Sequence, residues 1–198
     1  GEGQIWYNST SNTFKTSTPG PAAWASGGTL SYTTTNNAAA GTQTSALSIG
    51  GYPSTATTAS YNGSSWTAAP SLNTARQSLM GFGASNTSAI GVGGDTSGPA
   101  PKGETEEFNG TSWTELADLT TPRGLAGACG VATAGLIFSG GPEPSPPNIV
   151  ESWNGSSWTE VGNVNTATSN VSGCGTQTAA LKMGGQSVPG GHSITSTE

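Results

Sequence analysis

Four tryptophans, Trp24, Trp66, Trp113 and Trp158, recur at intervals of 42, 47 and 45 residues, and a glycine pair follows each after 26 or 27 residues. The pairs are Gly50-Gly51, Gly93-Gly94, Gly140-Gly141 and Gly184-Gly185. A period of ~40–50 residues restricts a chain to an array of like units, each too small to bury its apolar face alone. No set of reactive side chains recurs with the pattern.

The segments between these landmarks read as short strands. Tyr61-Asn-Gly-Ser-Ser-Trp66, Phe108-Asn-Gly-Thr-Ser-Trp113 and Trp153-Asn-Gly-Ser-Ser-Trp158 are hairpins flanked by aromatics. Asn-Gly there predicts a type I′ turn, in which both central residues take positive φ. A small-residue strand follows each hairpin, as in Leu79-Met-Gly-Phe-Gly-Ala and Leu125-Ala-Gly-Ala-Cys-Gly. Next comes an apolar strand ending at the glycine pair, then a variable loop, then a strand with an acidic residue, Glu106 or Glu151. Helical periodicity is missing, and Gly and β-branched residues are poor helix formers. The expected fold is all-β: a β-propeller of four kelch-like blades, each a four-stranded antiparallel sheet. Small inner-strand residues suit sheets that converge on an axis. Residues 1–16 read as a separate β-hairpin and 17–198 as the four repeats. Residues 4–15 could supply the strand expected after Glu198, closing a ring; a segment of a larger array fits the same pattern.

Composition removes several classes. Charged residues are 8% of the chain, against ~25% in an ordinary soluble domain. Five basic residues (Lys15, Arg76, Lys102, Arg123, Lys182) against a net charge of −6 leave no basic stripe for nucleic acid. No apolar run is long enough for a transmembrane helix, so membrane insertion is not expected. Cys129 and Cys174 stand at equivalent places in neighbouring repeats. They could bridge, but small buried hydrophobes are the plainer reading.

Catalytic readings are thin. His192 is the single histidine, and with two cysteines it lacks zinc-ligand spacing. Glu104, Glu106 and Glu107 cluster, and glycoside hydrolysis needs two carboxyls ~5–10 Å apart. Yet Glu106 recurs as Glu151 and Glu198, which points to a scaffold role. Arg76 and Arg123 also occupy one repeat position, where Thr34 and Thr168 replace them; they are read as donors to strand carbonyls or to Glu106 and Glu151. No D-x-D-x-D run suggests a calcium loop. The Asn-x-Ser/Thr matches at Asn8, Asn62, Asn86, Asn109, Asn154 and Asn170 are expected by chance in so polar a chain. No cofactor, metal or catalytic residue is assigned. Candidate binding positions lie in the variable loops: Tyr52, Asp95, Lys102, Glu143, Asn148 and His192, since loops on a rigid scaffold commonly carry binding.

The glycine pair, the acidic residue before an aromatic, the tight turn, the Trp and the Arg ten residues later resemble the kelch repeat. With the Gly3-Gln-Ile-Trp-Tyr-Asn-Ser-Thr10 lead-in and the Gly175-Thr-Gln-Thr-Ala-Ala-Leu181 block, residues 3–198 look like kelch-like structural proteins of marine bacteriophages. The resemblance implies a non-enzymatic virion module, a fibre or appendage component. Its partners would be other virion proteins and host surface glycans. A secreted or surface-anchored bacterial carbohydrate-binding propeller is the alternative, and a glycan-degrading enzyme a distant third.

Overall fold

A computed structural model describes residues 5–8, 13–16, 28–97, 100–141, 147–187 and 192–198. Those residues are all-β, with no helix among them. Strands β1 (Ile5–Asn8) and β2 (Thr13–Thr16) pair as an antiparallel hairpin. Unit 1 is a four-stranded antiparallel sheet of β3 (Ala38–Thr42), β4 (Ser45–Ile49), β5 (Thr58–Tyr61) and β6 (Trp66–Ala69). Unit 2 repeats it with β7 (Met80–Ser85), β8 (Ser88–Val92), β9 (Thr105–Phe108) and β10 (Trp113–Leu116). Unit 3 repeats it again with β11 (Gly127–Val131), β12 (Ala134–Phe138), β13 (Val150–Trp153) and β14 (Trp158–Glu160). In unit 4, β15 (Ser172–Thr176) pairs with β16 (Ala179–Met183), and Lys182 and Glu198 exchange backbone hydrogen bonds beside them. Strands β17 (Gln186–Ser187) and β18 (His192–Ser193) form a short hairpin in the connecting loop.

Strand alternation decides what each sheet buries. Side chains along a strand point to opposite faces, so Ala89 of β8 faces unit 1 while its neighbours Ile90 and Val92 face unit 3. One core cluster joins Leu47 and Ile49 of unit 1 to Leu72, Leu79, Ala89, Phe108 and Trp113 of unit 2. A second joins Met80, Phe82, Ile90 and Val92 of unit 2 to Leu119, Ile137, Trp153 and Trp158 of unit 3. The core therefore lies between successive sheets, and each unit is completed by the next. Ala39, Gly81, Ala128 and Gly173, one from each of β3, β7, β11 and β15, share the lining of a cavity of about 370 Å³.

The outer hairpins differ from the type I′ expectation. Tyr61 pairs with Trp66, Phe108 with Trp113 and Trp153 with Trp158, which leaves four residues in each loop. Only the glycine takes positive φ: +95° at Gly63, +93° at Gly110 and +92° at Gly155. The asparagine instead caps the turn, its Oδ1 accepting from the backbone N–H two and three residues on (Ser64 at 3.0 Å and Ser65 at 2.9 Å from Asn62). The loop length follows from the aromatic pairs, whose rings sit 5.0–5.1 Å apart and tilted, a favourable cross-strand contact.

The third glycine pair also shifts by one. Ser139 (φ +58°) and Gly140 (+100°) occupy the conformations of Gly50 (+60°) and Gly51 (+120°), Gly93 (+65°) and Gly94 (+91°), and Gly184 (+60°) and Gly185 (+109°). Gly141 lies one place further on, bridged to Gly124 as Asp95 is to Gln77. A serine is admitted to the first left-handed position, so the visible Gly-Gly dipeptide there is displaced from the structural one.

Glycine in the sheets also makes room for aromatics of the preceding unit. A Cβ on Gly135 would lie 2.4 Å from Phe82 Cε2, and one on Gly173 would lie 2.3 Å from Phe138 Cζ. Substituting Gly135→Val is expected to destabilise the protein by about 1–3 kcal/mol through overpacking. Combining it with Phe82→Ala is expected to recover part of that loss. Equilibrium unfolding of the wild type, both singles and the double tests this, and strictly additive effects would contradict the packing described.

Candidate functional site

The charged residues of the repeat converge on one recurring arrangement. In unit 2, Arg76 Nη2 donates to Glu106 Oε1 at 2.7 Å, with both side chains at most 2% exposed. Arg76 Nη1 also donates to the carbonyls of Gly93 (3.0 Å) and Glu104 (2.6 Å). The Glu106 carboxylate accepts from the backbone N–H of Asn73 (2.7 Å) and Thr74 (3.4 Å). Unit 3 matches: Arg123 Nη1 donates to Glu151 Oε1 at 2.5 Å, and Thr120 N (2.8 Å) and Thr121 N (3.3 Å) donate to the same carboxylate. Burial pushes the Arg123 guanidinium below its ordinary value, and Glu151 pulls it back up. Among the described residues neither Arg Nε has an acceptor.

Units 1 and 4 vary the arrangement in a chemically consistent way. Strand register puts Ala59 where Glu106 and Glu151 stand, and Thr34 stands where the arginines do, so unit 1 lacks both charges together. Hydroxyls take over there, with Tyr32 Oη and Thr34 Oγ1 donating to the Gly50 carbonyl at 3.2 and 3.3 Å. Burial raises the Tyr32 hydroxyl above its ordinary value, against a hydrogen bond with Ser48 that lowers it. Unit 4 keeps the carboxylate, Glu198, which accepts from the N–H groups of Asn165 and Thr166. Thr168 replaces the arginine, and Lys182 Nζ supplies the cation at 3.1 Å from Glu198 Oε1. The Lys182 pairing was missed in the sequence reading. Its signal is one lysine inside the otherwise apolar run Ala179-Ala-Leu-Lys-Met183, in a chain with five basic residues.

The remaining repeat residues serve the junctions. Gly51 N donates to Arg76 O, Gly94 N to Arg123 O and Gly140 N to Thr168 O, at 2.8–3.0 Å, each crossing to the next unit. Gly184 N donates to Ser196 O at 3.0 Å, and Gly185 O accepts from Ile194 N. Trp113 and Trp158 are buried, and Trp66 is half-buried. Trp113 Nε1 reaches Pro70 O and Trp158 Nε1 reaches Thr105 Oγ1, both at 2.9 Å. Trp24 lies outside the described residues. Cys129 is buried and Cys174 exposed, and both are free thiols; desolvation holds the Cys129 thiol above its ordinary value.

The candidate loop residues are less concentrated. Tyr52 is 58% exposed. Asp95 Oδ1 accepts from Gln77 Nε2 at 2.7 Å and from Ser97 N at 3.3 Å. Ser97 Oγ donates to Ser54 Oγ at 2.7 Å, which joins the loops of units 1 and 2. Lys102 exchanges backbone hydrogen bonds with Gly94 and Arg123. Asn148 Nδ2 donates to Val164 O at 3.3 Å. The backbone of His192 pairs with Ser187. Glu143 lies outside the described residues. Among the described residues, no three His, Cys, Asp or Glu side chains gather as a metal-binding group, and no helix is long and apolar enough to cross a membrane. The chain matches no protein-family model and no curated protein.

Two predictions follow from the charge arrangement. Arg123→Thr or Glu151→Ala alone leaves a buried unpaired charge and is expected to cost about 3–5 kcal/mol. The double variant copies the Thr34/Ala59 solution of unit 1, so it should lose clearly less than the two singles summed; denaturant unfolding measures this. For Glu198, burial favours the neutral acid, but the Asn165 N–H, Lys182 and the Thr166 N–H outweigh it and hold the carboxyl below its ordinary value of 4.5. A depressed carboxyl contributes stability above its unfolded value and loses it as pH falls through the lower folded value. The Asn165 and Thr166 amide signals in an NMR titration should therefore shift on acidification with a midpoint below 4.5.

Proposed function

We propose that the chain is a non-enzymatic binding module: a propeller of kelch-like units that serves on a virus particle, presenting its loops to host surface glycans or to neighbouring virion proteins. The propeller reading is supported by the successive face-to-face sheets and by four inner strands lining one cavity. The adhesive reading rests on one observation above the rest. Tyr52, 58% exposed, sits two residues from Ser54, which binds Ser97 of the next loop. An exposed aromatic among neutral hydroxyls is the chemistry that recognises sugars, the ring stacking on the C–H face and the hydroxyls exchanging hydrogen bonds. The buried arginines and glutamates are engaged within the scaffold. In each four-stranded sheet the variable loop joins the second strand to the third.

The test has two parts. Immunogold labelling with antibody to this segment should place gold at fixed sites on purified virus particles; unlabelled particles, with signal on host cells, would refute the virion role. In a glycan screen, Tyr52→Ala should weaken binding by about two- to tenfold, the scale of one aromatic contact. Undiminished binding by that variant would remove Tyr52 from the site.

A further inference from the structure

The outer hairpins of units 1, 2 and 3 are one turn built three times with one chemical difference. Asn62-Gly63, Asn109-Gly110 and Asn154-Gly155 open the loops, and all three asparagines are exposed. The backbone is shared. The glycines sit at φ +95°, +93° and +92°. Each asparagine N–H donates to the carbonyl three residues on, that of Ser65, Ser112 or Ser157, at 3.3 Å.

An asparagine followed by glycine carries its own nucleophile. The next residue has no Cβ to obstruct the approach of its amide nitrogen to the asparagine Cγ. Among the described residues no backbone acceptor holds the N–H of Gly63, Gly110 or Gly155. The three sites therefore share sequence, backbone conformation and an untied nitrogen.

They differ in how the side chain is held. Asn62 Oδ1 accepts from Ser64 N (3.0 Å), Ser65 N (2.9 Å), Ser64 Oγ (2.9 Å) and Ser65 Oγ (3.4 Å). Asn154 Oδ1 accepts from Ser156 N, Ser157 N and Ser156 Oγ, each at 2.9 Å, and from Ser157 Oγ at 3.4 Å. Asn154 Nδ2 also donates to Ser157 Oγ at 3.2 Å. Asn109 Oδ1 accepts from Thr111 N (2.9 Å) and Ser112 N (3.0 Å) and from neither hydroxyl.

We propose that Asn109 is a self-modification site, which loses its side-chain amide faster than Asn62 or Asn154. Water takes the proton of Gly110 N as that nitrogen attacks Asn109 Cγ. A C–N bond forms, the Cγ–Nδ2 bond breaks and ammonia leaves. A second water opens the five-membered imide at either carbonyl, giving aspartate or isoaspartate. Ring formation eclipses Cγ with the residue's own carbonyl carbon, away from every staggered rotamer. The side chain must therefore leave its donors before it reacts, and Asn109 has the fewest to leave. Donors on Oδ1 also polarise the Cγ carbonyl, but only in the bonded rotamer, which is not the reacting one.

The two products act differently on the fold. Aspartate keeps an acceptor for Thr111 N and Ser112 N and adds one negative charge. Isoaspartate lengthens the main chain inside a loop whose ends are fixed by Phe108 and Trp113, 2% and 6% exposed in the core between units 1 and 2. This chemistry does not depend on what the loops bind.

Peptide mapping by mass spectrometry, on the full chain incubated in mildly alkaline buffer, tests the proposal. Asn109 should convert about three- to tenfold faster than Asn62 and Asn154, the scale of one neutral hydrogen bond. Thr111→Ser makes the turn Asn-Gly-Ser-Ser, as in the other two units, and should slow Asn109 toward them. In denaturant the three rates should converge. Equal rates in the folded chain, a faster Asn62 or Asn154, an order that survives unfolding, or an Asn109 rate indifferent to Thr111→Ser would each overturn it.

Discussion

A carboxylate that grips the connection between units, buried in units 2 and 3 and partly buried in unit 4, is the interaction on which the array depends. Glu106, Glu151 and Glu198 each accept hydrogen bonds from two consecutive backbone N–H groups of the loop that enters their own unit. That loop arrives from the outer strand of the preceding unit, so its position sets how one sheet meets the next. A charged acceptor holds two consecutive amides at once, and hydrogen bonds to a charged group are the stronger kind. The cation then balances the carboxylate's charge, since an unpaired buried charge is strongly unfavourable.

The four units show how far this device bends. Units 2 and 3 use arginine from the loop itself. Unit 4 moves the cation to the neighbouring strand, Lys182, which backbone pairing sets opposite Glu198. Unit 1 drops carboxylate and cation together and uses the hydroxyls of Tyr32 and Thr34 instead. No unit keeps one charge without the other, which is the pattern desolvation demands. The interfaces then fill around these anchors: aromatic pairs on one side, branched aliphatics on the other, glycine where a ring must approach a backbone.

Much of the all-β architecture was legible because its landmarks are large or conformationally special. Tryptophan spacing marks the outer strands, and apolar runs ending at the glycine pair mark the second strands. Where the reading slipped, a dipeptide stood in for a conformation. Asn-Gly suggested a two-residue turn, but the pairing of Tyr61 with Trp66 sets a four-residue loop in which asparagine acts through its side chain. Gly140-Gly141 looked like the third pair, but Ser139 takes the left-handed position. Lys182 was illegible as a partner of Glu198 because their proximity arises from strand register across 16 residues. The contact between Ser54 and Ser97 was equally hidden, since it needs two units to be packed before two loops meet.

Native-state amide hydrogen exchange tests the carboxylate grip most directly. Loop amides ordinarily exchange through small local openings. The account predicts that Asn73, Thr74, Thr120 and Thr121 are protected nearly as strongly as the strand amides of β8 and β12, although they lie outside any strand. Exchange of these four at the rate of exposed turn residues such as Ser64 and Thr111 would contradict it.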